Sequence, residues 1–203
     1  MLLNKIEFFL MNNPIRKLIQ DKIEAKMLRK ASNLPKEKNV LEIGCGNGTG
    51  TLLINKYFSP KLISAIDLDP RMIRKAKNKV KLSNVNFEVG SATKLPYKSK
   101  FFDAVFDFGV IHHIPNWKDS IKELKRVLKK NGLVILEDLS IDTFNTVFGR
   151  LIKNILDHPY KEMYSEKEFV DYLKKSGFKI KKYQRHYPLY SIKYFVIVAK
   201  KQY

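Results

Sequence analysis

The stretch VLEIGCGNGTG, Val40 to Gly50, constrains this chain more than any other. An apolar strand pattern runs straight into glycines at Gly44, Gly46 and Gly48, and a helical pattern follows. A second apolar strand then ends on Asp67 within AIDLDP, Ala65 to Pro70. Strand, glycine turn and helix in that order let a backbone turn come close to a bound nucleoside. A carboxylate at the end of the next strand can then accept from ribose hydroxyls. The dinucleotide fingerprint spaces its glycines G-x-G-x-x-G, whereas here the spacing is G-x-G-x-G and Thr49 stands at the third-glycine position. An adenosine-containing cofactor is expected, and the loop alone does not decide which.

Around this loop, strands and helices alternate. Strands are expected over 40–44, 62–67, 85–90, 103–108 and 133–138, and helices over 50–58, 70–82 and 117–129. The strands read as near-continuous apolar runs, the pattern of a parallel sheet covered by helices on both faces. Gly132 lies just past Lys129 and Lys130, which together look like a helix stop with terminal cations. A further helix from Glu166 to Ser176, stopped by Gly177, precedes two strands, Phe178 to Arg185 and Ser191 to Lys200. Upstream, Ile15, Leu18, Ile19, Ile23, Met27 and Leu28 recur at helical spacing over 15–31, after Pro14.

A chain of 203 residues suits one domain, and no repeat or low-complexity linker divides it. Within 1–203, an N-terminal helical segment (1–35) leads into a cofactor-binding core (36–139). An irregular insertion (140–165) and a C-terminal helix with a strand pair (166–203) follow. The N-terminal segment, with Ile6, Phe8, Phe9, Leu10 and Met11, either packs on the core, closes over the cofactor or touches a membrane. It is too short and too interrupted to span one, and it lacks a small-residue cleavage site.

The single cysteine, Cys45, sits inside the glycine loop, which excludes a disulfide framework and fits a cytoplasmic protein. The net charge is +19, from 39 basic and 20 acidic residues. Such a surface attracts nucleic acid, anionic lipid or anionic substrates without specificity. Lysine supplies most of the charge and is spread along the whole chain, which reads first as a solvated surface.

Four motifs in order, VLEIGCGNG, IDLDPRMIRKAK, GSATKLPYKSKFFDAVFDFGVIHHIP and LKRVLKKNGLVILED, cover about half the chain. Together they resemble the class I S-adenosylmethionine-dependent methyltransferases, in particular the small-molecule branch related to ubiquinone and menaquinone methyltransferases. The resemblance implies a Rossmann-like α/β fold with a mostly parallel seven-stranded sheet, and S-adenosylmethionine as cofactor. It also implies roles. Glu42 and the loop Gly44, Cys45, Gly46 and Gly48 hold the methionine part, and Asp67 binds the ribose. Leu68 and Met72 lie against adenine, Ser91 and Ala92 meet its edge, and Asp107 and Phe108 contact the cofactor's amino group, mostly through backbone carbonyls. Many relatives carry aspartate where Ser91 stands, so a weaker acceptor faces adenine here. Cys45 also reads simply as a small buried filler.

Methyl transfer needs alignment first, and a base only where the acceptor must lose a proton. His113 and His112, just beyond the fourth strand, are the candidates for that base, since imidazole titrates near neutrality. Glu137, Asp138, His158, Tyr160 and Tyr164 are secondary candidates. Two adjacent histidines do not make a metal site, and no third ligand stands nearby in sequence, so none is expected. A small-molecule or lipid-like acceptor fits the aromatic residues Phe8, Phe9, Phe144, Phe148, Tyr160 and Tyr164, which serve a core equally well. No N-P-P-Y or D-P-P-Y follows the fourth strand and no RNA-binding module is appended, so nucleic acid is disfavoured as substrate. A non-catalytic cofactor-binding module stays open as the alternative, and an NAD-linked oxidoreductase is disfavoured by Thr49 and the later motifs.

Overall fold

The structure, a computed structural model, describes residue 21 and residues 24–146, 149–150, 153, 158–186 and 193–203. Seven strands form one sheet: β1 (Asn39–Ile43), β2 (Leu62–Asp67), β3 (Val85–Val89), β4 (Phe102–Phe108), β5 (Leu128–Asp138), β6 (Phe178–His186) and β7 (Tyr194–Lys201). Their order is β3-β2-β1-β4-β5-β7-β6. The first five pair in parallel, while β7 runs antiparallel to both β5 and β6. The expected seven-stranded, mostly parallel α/β architecture is the observed one.

Period-two alternation along the central strands separates two apolar layers. Leu41, Ile43, Val105, Val134 and Leu136 face one side, packed with Ile121 and Leu124 of α4 (Trp117–Val127) and Phe169 and Leu173 of α5 (Glu166–Lys175). Val40, Ala104, Phe106 and Ile135 face the other, against Leu28 of α1 (Ala25–Ser32), Ile54 and Phe58 of α2 (Thr49–Phe58), and Ile73 and Ala76 of α3 (Pro70–Lys79). Two covered faces explain why the central strands carry apolar residues at most positions.

Caps fix where the helices begin. Asp69 accepts from the Arg71 amide at 2.8 Å and Pro70 takes the first turn of α3. Ser165 does the same for α5, accepting from the Glu168 amide. The end of α4 departs from the expectation. It stops at Val127, and β5 starts at once with Leu128 opposite Phe102, so Gly132 is no helix stop. The register to β4 then resumes at Ala104↔Leu133, so residues 129–132 bulge out, with Asn131 at φ +64°. Lys201 of β7, not Lys129 or Lys130, sends its ammonium to the carbonyls of Lys125 and Leu128, each at 2.7 Å. A cation from a distant strand thus serves the helix end, which spacing along the chain cannot reveal.

Of the helix expected over 15–31, the structure describes α1 from Ala25. Ile6, Phe8, Phe9, Leu10, Met11 and Phe148 lie outside the described residues. Among the described residues no helix is long and apolar enough to cross a membrane.

Candidate functional site

β1 and β4 lie side by side at the centre, and the chain leaves them toward opposite edges of the sheet. Such a switch point opens a crevice beyond the carboxyl ends of the strands. Here the turn after β1 (residues 44–48) and the turn after β4 (residues 109–113) flank a cleft of about 290 Å³. Glu42, Gly44, Cys45, Gly46, Asp67, Leu68, Met72, Ser91, Ala92, Phe108 and His113 line it. Gly48, Asp107 and His112, named with them from the sequence, do not line it. Asn47, within the 44–48 loop, also borders the cleft, as do Asp69 and Asn116, which the sequence did not mark for it.

The glycine turn is built for close approach. Gly44 has φ +60°, and a Cβ there would lie 2.3 Å from a methyl of Val110 in the facing turn. Gly50 matters for a different reason, which the loop pattern hides. A Cβ on Gly50 would sit 2.1 Å from Oε1 of Glu42, so the missing side chain is what lets that carboxyl fit beneath the turn. Cys45 ties the turn to β2, its amide donating to the Ile66 carbonyl at 2.8 Å. Its thiol is buried at the cleft wall, and burial pushes its pKa up, so it is an inert filler as well as a lining residue.

Asp67 closes the other end of the turn. One oxygen accepts from the Gly46 amide and the other from the Asp69 amide, both at 2.8 Å. A carboxylate offers about four lone-pair sites, so each oxygen keeps one for a ligand. Next to it Leu68 is 49% exposed, an apolar side chain left open at the cleft, with buried Met72 beneath. The Ser91 hydroxyl is engaged with that of Thr93 at 2.8 Å.

Glu42 is almost fully buried and accepts from the Thr51 hydroxyl. Burial raises its pKa from 4.5 to about 8 against the lowering effect of Thr51, so near neutrality it carries a proton. The folded state therefore binds a proton that the unfolded chain releases above pH 4.5. The stability this contributes is complete below that value and is lost as pH rises toward 8. Glu42→Gln should be favoured over wild type by a few kcal/mol at pH 8 and by little at pH 4.5. Urea unfolding of both proteins across that range checks this, and parallel stability curves would refute it.

Beyond the cleft wall lies a buried acidic and aromatic cluster. Asp138, at the end of β5, accepts from the His112 amide at 3.2 Å, the Leu139 amide at 2.8 Å and the Tyr164 hydroxyl at 2.6 Å. Its Oδ1 also meets Nδ1 of His112. Asp107 turns its carboxyl inward beside Asp138 and accepts from the Val110 amide at 2.9 Å. Burial, then the neighbouring Asp138, raises the Asp107 pKa well above the carboxylate range. Two of the named residues, Asp107 and His112, thus brace the turn that carries His113 rather than face the cleft.

His113 is the imidazole on the cleft wall. Burial, followed by His112 and His158, holds its pKa well below the usual value, so it is neutral. His158 packs against it at 4.4 Å between ring centroids, and burial likewise pushes His158 down to about 3. Phe144 and Tyr164 are fully buried and belong to the core, so the insertion's aromatic residues divide between packing and the His158–Tyr160 stack.

Residues 41–136 match the family model described as a methyltransferase domain. The chain is 30% identical over 146 residues to 2-methyl-6-phytyl-1,4-hydroquinone methyltransferase 1, chloroplastic, of rice (Oryza sativa subsp. japonica). That match takes in 72% of this chain and 42% of the rice protein, so the chain spans less than half of that relative's length. It is 28% identical over 172 residues to demethylmenaquinone methyltransferase of Staphylococcus aureus, covering 82% of this chain and 71% of that one. A SAM dependent methyltransferase from Aquifex aeolicus superposes with a TM-score of 0.75 at 21% identity, over 97% of this chain and 98% of that one.

Proposed function

The chain carries a class I S-adenosylmethionine-dependent methyltransferase domain, and from that premise we propose that it methylates a small aromatic acceptor of the hydroquinone class. The observation that carries the reading is the cleft itself. A glycine turn, an acidic strand end and an open apolar side chain stand on one side of it, and a neutral imidazole stands on the other.

The residues present fit the cofactor. The space that a Cβ on Gly44 would fill admits close approach of a ligand to the turn. Asp67 retains acceptor capacity suited to a vicinal diol, Leu68 offers an apolar face for a flat base, and Glu42 offers a buried carboxyl to an ammonium group. When bound, S-adenosylmethionine supplies an electrophilic methyl on a sulfonium sulfur and leaves as S-adenosylhomocysteine. The chain's own part is to hold the acceptor in line with that methyl, exclude water and take the acceptor's proton. His113 is the group for the last task, since it is neutral, at the wall and held by a braced turn. The similarity to two relatives, a hydroquinone and a demethylmenaquinone methyltransferase, supports an aromatic quinol acceptor.

Calorimetry with S-adenosylhomocysteine, followed by incubation with S-adenosylmethionine and reduced naphthoquinones or prenylated hydroquinones, tests this. Binding together with one methyl added to an acceptor, read by mass spectrometry, is the expected result. Binding with no methylated product would leave a cofactor-binding module, and absence of binding would overturn the site.

A further inference from the structure

We propose that His112, His113 and His158 form a binding site for one divalent transition-metal ion of the zinc, cobalt or nickel kind. One ligand nitrogen from each lies within 4.8 Å of the others. The ring centroids are 4.0, 4.4 and 5.1 Å apart. The absence of a third ligand near residues 112 and 113 holds only along the sequence. In space the segment after β5 brings His158 back onto them. The adjacent pair converges because residues 111–113 form a tight 3-10 turn rather than an extended strand, in which side chains would alternate.

Two further observations point the same way. Asp138 holds His112 by both its amide and Nδ1, leaving Nε2 as the ring nitrogen available to an ion. A carboxylate on the far nitrogen of a metal-binding histidine is the usual second support of such sites, fixing the tautomer and raising basicity. Nδ1 of His113 is buried and has no hydrogen-bond partner among the described residues. A buried ring nitrogen left without a partner calls for an explanation.

The donor set selects the ion. Imidazole nitrogens suit zinc, cobalt, nickel and copper, whereas magnesium and calcium take oxygen. Bonds of about 2.0–2.1 Å put tetrahedral ligand nitrogens roughly 3.4 Å apart, so the side chains must rotate inward to close on the ion. Three protein ligands leave a fourth position for water or an acceptor oxygen. An ion here engages one nitrogen of His113, so metal binding and proton acceptance exclude each other at that atom.

The inference does not rest on methyl transfer, only on the three imidazoles. The sequence holds four histidines, so His186 supplies a matched control outside the cluster. Untagged, chelator-stripped protein is titrated with cobalt, read by its visible absorption, and with zinc by calorimetry. Wild type and His186→Ala should bind one ion per chain, and His158→Ala should lose at least about tenfold in affinity. A far-ultraviolet circular dichroism spectrum and a cooperative thermal transition like those of wild type show that His158→Ala is folded, a readout that does not depend on the methyltransferase reading. No ion bound by wild type, equal affinity in His158→Ala, or loss in His186→Ala would each overturn the site.

Discussion

Asp67→Ala should lose S-adenosylhomocysteine affinity by about a hundredfold or more while remaining folded. Hydrogen bonds from ligand hydroxyls to a charged carboxylate are worth about 1.5–3 kcal/mol each. Two of them, on the lone pairs that Asp67 leaves open, amount to roughly a hundredfold in Kd. A second loss adds to the first. Gly46 and Asp69 both donate amides to this carboxylate, and without it the glycine turn is no longer tied to the end of β2 by a side chain. The core does not depend on Asp67, whose contacts are to turn backbone, so thermal unfolding should shift little. Calorimetry decides the matter. An affinity within threefold of wild type would mean that ribose does not sit on this strand end.

Asp138→Ala should cost roughly 3–5 kcal/mol of stability, the range seen when one partner of a buried charged network is removed. The side chain is fully buried and satisfies two amides, a tyrosine hydroxyl and an imidazole nitrogen. Alanine leaves these four groups without their carboxylate partner, each buried one at about 1–3 kcal/mol. Part of that is offset, because Asp107 loses a like neighbour and ionises more easily. The damage is also local, since the turn carrying His113 is pinned to β5 through His112. Urea unfolding should show a lower midpoint, and methyl transfer should fall further than cofactor affinity. A loss of less than about 1 kcal/mol would mean that the carboxylate is not the organising group of this cluster.

Much of this was legible in the order of residues. Apolar runs located the central strands, because a strand covered on both faces must be apolar at nearly every position, whereas the first half of β5 was read as the end of a helix. Gly44, Gly46, Asp67, Leu68 and Met72 were readable as one cleft because each lies at or just beyond the carboxyl end of a strand, where the switch point gathers them. The end of α4 was misread for a physical reason. Lys129, Lys130 and Gly132 make a plausible stop, but Leu128 is fully buried and pairs with Phe102, and packing outweighs local preference.

Which side chains face the cleft was settled only by three-dimensional packing. Asp107 and His112 sit in the right motif yet turn inward, because Asp138 draws the amide and ring of His112 while Asp107 accepts from the Val110 amide beside it. Gly50 earned no place in the glycine pattern, but its missing Cβ is what admits Glu42. His158, far along the chain, became a neighbour of His112 and His113. The sequence by itself determined the sheet, its two covered faces and the cofactor-side strand ends, since these follow from periodicity and turn chemistry, which are local. The tertiary structure alone decided which buried carboxyls lie side by side and which imidazoles meet, because those depend on distances between segments that only folding brings together.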